Sequence, residues 1–128
     1  MRRMIALLVM AMAGASLSTP SRAQSEMAPV LERACGRGEM LSCANLAILY
    51  RHGRGAPKDY AKALTLFVKA CEGGSEFACG YAGEMTYVGL GITQNTKYGE
   101  RLMRRACNRG DRWSCQAMKR NGIPSSAS

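Results

Sequence analysis

Six cysteines and a single histidine are the residues of this chain best suited to chemistry. The cysteines are placed by rule. Residues 34–43 read ACGRGEMLSC, residues 70–79 read ACEGGSEFAC and residues 106–115 read ACNRGDRWSC. Each copy has Ala-Cys, a Gly three residues after the Cys and a second Cys eight residues after the first, and the copies stand 36 residues apart. Cysteines can hold a metal, supply a thiol nucleophile or close disulfides. A zinc site asks for short C-x2-C spacing or several histidines, and His52 is alone. A Cys nucleophile paired with His52 needs a free thiol, which an even, repeated set does not leave. An even count in a small exported chain reads as a disulfide framework. Six cysteines allow 15 pairings in general, but equivalent units require equivalent pairs. The local choice is Cys35–Cys43, Cys71–Cys79 and Cys107–Cys115. No metal and no cofactor is expected.

The elements that position these residues follow the same period. A fixed repeat of this length signals an array of small helical units. Pro29 suits a first helical turn. Val30, Leu31 and Ala34 then carry helical spacing to Cys35, where Gly36 and Gly38 end it. Residues 39–52 place Met40, Cys43, Leu46, Ala47 and Tyr50 on one face of a second helix. Asp59 is a suitable N-cap for a third, with Ala61, Leu64, Phe67, Val68 and Cys71 along one side. Ser75, Asn95 and Asp111 cap the helices expected over 77–88, 96–107 and 112–120. Nothing in the pattern suggests a strand. The expectation is an all-α solenoid of antiparallel helix pairs over residues 24–122, with a flexible tail at 123–128.

Residues 1–23 have the form of a secretory leader: Arg2 and Arg3, a short apolar run at 5–15, and Ser21-Arg22-Ala23 before a cut ahead of Gln24. An uncleaved anchor is the competing reading of that run. No second apolar run follows, so no membrane span is expected in the mature chain. The resulting localisation is secreted or periplasmic. Three of the 18 Lys and Arg fall in the leader, and the rest still exceed the 9 Asp and Glu. Outside the cell, that basic balance does not point to nucleic acid.

The stretch CANLAILYRHGRGAPKDYAKALTLFVKAC resembles the Sel-one-like repeat, a relative of the tetratricopeptide repeat. Leu46-Ala47, Tyr50, Gly53, Gly55, Asp59 and Lys62-Ala63 follow its pattern. The repeated C-x7-C is similar to that of the Helicobacter cysteine-rich proteins. The resemblance implies one bridge tying each helix pair to the next. In the second unit Thr86 replaces the Tyr and Gly99 the Ala, which implies looser packing there. Small arrays bury little and need staples. A bridge closing so short a loop contributes about 2.6 kcal/mol in the chain-entropy account.

Members of the cysteine-rich branch are linked to penicillin binding and weak β-lactamase activity, which is the enzyme alternative. The residues give it little. A serine lactamase needs S-x-x-K, whereas Ser42 is followed at that spacing by Asn45, Ser75 by Ala78 and Ser114 by Ala117. One histidine cannot furnish a zinc lactamase. Glu84 would be a lone base. A redox-linked assembly factor, a third class, needs a reactive Cys. The favoured function is a scaffold that binds a protein or peptide ligand, including peptidoglycan-related peptides.

In tetratricopeptide-type arrays the first helix of each pair lines the concave side. Helical spacing then puts Leu41, Ala44, Ile48 and Arg51, Phe77, Gly80, Glu84 and Tyr87, and Trp113, Gln116 and Arg120 in the groove. Leu41, Phe77 and Trp113 are equivalent positions and form an apolar ladder. The competing reading has Phe77 and Trp113 merely covering the disulfides. Tyr50 reads as core, and His52 as a cation at a helix end. Arg101, Arg104, Arg105 and Arg109 form either a solvated face or a surface for an anionic partner.

Overall fold

The computed structural model describes residues 22–125, and the leader expected over 1–23 falls almost wholly outside them. Among the described residues six helices follow one another and there is no strand. They are α1 (Arg22–Gly36), α2 (Met40–His52), α3 (Tyr60–Glu72), α4 (Glu76–Val88), α5 (Thr96–Asn108) and α6 (Arg112–Arg120). No helix of these residues is long and apolar enough to cross a membrane.

Local sequence explains the boundaries. The Asp59 side chain accepts from the Lys62 amide, Ser75 from Ala78, Asn95 from Tyr98 and Asp111 from Ser114. Each satisfies an amide that the helix start leaves unpaired. At the far ends of α2 and α4, Gly53 (φ 66°) and Gly89 (φ 89°) take the left-handed conformation, which costs glycine little. The start of α1 differs from expectation. Pro29 lies inside the helix, not in its first turn, because α1 begins at Arg22.

Packing is sequential. α2 lies on α3 and α4 on α5, while α1 meets α2, α3 meets α4 and α5 meets α6. α4 also packs on α6. The first helices of the last two units thus touch each other directly. Leu46, Ala47, Phe67, Ala82 and Met85 fill the larger core, and Met103, Ala117, Met118 and Ile123 a second, smaller one.

The second unit is not loose. A Cβ on Gly83 would stand 2.9 Å from the Gly99 carbonyl oxygen, and one on Gly99 would stand 2.5 Å from the Tyr87 amide nitrogen. Two missing side chains let the α4 and α5 backbones meet directly. The tail, too, is anchored at its start. Ile123 is buried, its amide donates to the Met118 carbonyl, and Arg104 donates to the carbonyl of Pro124 at 2.9 Å. Residues 126–128 lie outside the described ones.

Candidate functional site

All six cysteines are paired: Cys35–Cys43, Cys71–Cys79 and Cys107–Cys115. Each bridge joins the last turn of one helix to the next helix, α1 to α2, α3 to α4 and α5 to α6. This fixes the angle at which each unit follows its predecessor. No thiol is free to act as nucleophile or ligand. Among the described residues no three His, Cys, Asp or Glu side chains gather as a metal site would require.

A polar cluster links α2, α4 and α6 along the side they share. Glu84, in the middle of α4, is buried, yet it is charge-paired from both sides. Arg51 of α2 donates to Oε2 at 3.2 Å, and Arg120 of α6 donates to Oε1 at 3.1 Å. Asn121 adds a third donor to Oε1 at 3.1 Å. A carboxylate with its oxygens so occupied is not the lone base that the sequence suggested. Two guanidinium groups against one carboxylate leave a local excess of one positive charge.

Beside this cluster lies a stack of rings. Tyr81 is sandwiched between Phe67 (centroids 4.7 Å apart, 7° between planes) and Trp113 (3.6 Å, 15°). Phe77 meets both Tyr81 and Trp113 edge-on. The two edge-on contacts of Phe77 suit the ring quadrupoles. The arginines lie close to the stack, Arg51 at 5.2 Å from the Tyr81 centroid and Arg120 at 5.1 Å from that of Trp113. Burial raises the Tyr81 phenol above its ordinary 10.0. The Arg51 and Arg120 charges oppose this, and Glu84 and Asp111 add to it.

Of the residues expected in the groove, Arg51, Phe77, Glu84, Trp113 and Arg120 thus come together in one patch. The others do not join it. Leu41 is 73% exposed and apart, so the expected ladder has two rungs, Phe77 and Trp113. Ile48 packs against the larger core and Tyr87 against the smaller, while Gln116 is exposed. Ala44 and Gly80 are buried, and Ser114 stands where a side chain at Gly80 would be.

Tyr50 is core, as expected, and its hydroxyl donates to Glu32 at 2.7 Å. His52 lies in the last turn of α2, at the expected helix end. Partial burial first, then Arg51, Arg54 and Lys58, hold its pKa below 6.5. Tyr81 and Asn121 are the site residues that sequence reasoning missed.

Residues 41–75 and 76–111 match the Sel1 repeat family in two successive units. The chain belongs to the Sel1 repeat family. This Sel1-repeat chain is also similar to solved structures. Helicobacter pylori cysteine rich protein B is 27% identical, with a TM-score of 0.64 over 71% of this chain and 68% of that one. The protein c5321, a protective antigen present in uropathogenic Escherichia coli strains, is 24% identical with a TM-score of 0.69, over 77% of this chain and 22% of its own. A Sel1 repeat protein from Oxalobacter formigenes is 22% identical with a TM-score of 0.71, over 80% of this chain and 31% of its own. The last two speak for the fold alone. A search of curated proteins finds no match. The Sel1-repeat chain is thus a disulfide-rich helical scaffold of the kind found in the Helicobacter protein.

Proposed function

We propose that this Sel1-repeat protein is exported and binds a protein or peptide ligand on the side formed by α2, α4 and α6. The observation that carries the reading is the pairing of Arg120 with Trp113. A half-exposed guanidinium lies over a partly buried indole, beside a second arginine and above a carboxylate that holds both in place. Aromatic and arginine side chains fixed in this way are the usual anchors of a binding surface. The local excess of positive charge favours a ligand that sets a carboxylate next to an apolar side chain, as a chain terminus or a peptidoglycan peptide does. Export is supported by three closed bridges, which persist in oxidising compartments, and by the leader-like residues 1–23.

The test is a titration of the oxidised protein with peptidoglycan-derived peptides and with peptides ending in an apolar residue, read by the emission of Trp113. That residue is the single tryptophan of the chain. The expected result is a saturable shift for native protein that Arg120→Glu abolishes. No shift with any of these peptides, or an equal shift in the variant, rejects the reading.

A further inference from the structure

The outer side of the ladder carries a different feature. α3 and α5 stand apart across α4 and leave an open cavity of about 520 Å³. Leu64 and Val68 line it from α3, Ala82 and Thr86 form its floor, and Tyr98 and Leu102 line it from α5. Three of its lining residues, Val68, Ile92 and Tyr98, are large apolar side chains left 40–47% exposed.

A basic ridge runs beside this recess. Lys97, Arg101, Arg105 and Arg109 follow one another at intervals of four along α5 and its C-cap, all exposed, over about 18 Å. Only Arg109 has a carboxylate, Glu76 at 2.7 Å. Among the described residues none pairs with Lys97, Arg101 or Arg105. Arg101 lies over the Tyr98 ring, and Arg105 donates to the sulfur of Cys79 at 3.4 Å. The same positions of α3 hold Ala61, Thr65, Lys69 and Gly73. The repeat therefore does not require this charge.

We infer that the recess and ridge together bind an acidic amphipathic helix of another protein. Its apolar stripe would enter the recess between α3 and α5, and its acidic flank would lie on Lys97, Arg101 and Arg105, which is helix-in-groove recognition with charge complementarity. A second copy of this chain is disfavoured, because it brings the same excess of positive charge. An anionic bilayer fits less well. The apolar side chains line a recess instead of protruding.

The test uses a fluorescein-labelled stapled helix of about fourteen residues, matched to the ridge. It carries Leu at i, i+3, i+4 and i+7 with Glu on one flank, and a companion carries Lys in place of Glu. The native protein is expected to bind the Glu helix about tenfold more tightly than the Lys helix by anisotropy. The exposed double change Lys97→Glu, Arg101→Glu, checked for helicity, should reverse that order, and Ile92→Asp should weaken both. Arg120→Ala, on the opposite side, should change neither, which separates this outcome from that of the inner groove. Equal affinity for the two helices, no binding of the Glu helix, or indifference to the double change overturns the inference. So does co-sedimentation with mixed phosphatidylcholine and phosphatidylglycerol vesicles in the absence of helix binding.

Discussion

Arg120 and Glu84 occupy the same position of successive repeats, 36 residues apart, and meet at 3.1 Å across the inner side. The third member of that register is Ile48, so one array position holds an apolar residue, an acid and a base in turn. Arg51 completes the pairing from α2. The consequence is a charge cluster that ties three repeats together through one carboxylate.

Glu84→Gln should therefore cost more than a surface charge would. Removing one partner of a buried ion pair leaves the others uncompensated, and the cost is about 2–4 kcal/mol with Arg120 half exposed. Urea denaturation should show a lower midpoint at an unchanged slope. An unaltered midpoint would mean that the cluster is not coupled to folding.

The contact between α4 and α5 is set by Gly83 and Gly99. Gly99→Ala places a methyl group 2.5 Å from the backbone of α4, and overpacking of this kind costs about 1–3 kcal/mol. Gly36→Ala meets open space in a helical conformation and should be neutral or slightly stabilising. Comparing the two melting temperatures checks the claim, since similar shifts would refute it.

Tyr81 should ionise above its ordinary range. Its phenol is raised above 10.0 by burial, so the folded state holds that proton more tightly than the unfolded chain does. The stabilisation is fully present below pH 10 and is lost as pH rises through the raised value. Absorbance at the tyrosinate band should show a late component that Tyr81→Phe removes. A titration curve that Tyr81→Phe lowers in amplitude without removing its late part would contradict it.

What was legible in the sequence was what is local. The caps at Asp59, Ser75, Asn95 and Asp111 and the three bridges each depend on residues fewer than ten apart. Helical register also carried Arg51, Phe77, Glu84, Trp113 and Arg120 to one side of the array. Tyr81 was missed because its repeat equivalents, Asn45 and Ala117, are not aromatic, so nothing periodic marked it. The partners of Glu84 were missed because contacts 33 and 36 residues away depend on how far one unit rotates over the next. The looseness expected of the second unit failed because glycine was read as lost packing, when here it permits backbone contact. Pro29 was placed in a first turn by its usual preference, whereas α1 has begun well before it.

The central claim is that three bridges hold these helices as a ladder and thereby keep the Arg51–Glu84–Arg120 and Tyr81–Trp113 arrangement on its inner side. The direct measurement is far-UV circular dichroism together with Trp113 emission, on oxidised protein and on protein reduced and alkylated at all six cysteines. Most of the helical signal should be lost on reduction, and the Trp113 emission should move to the red as the stack on Tyr81 opens. Helicity and emission that both survive complete alkylation would contradict it.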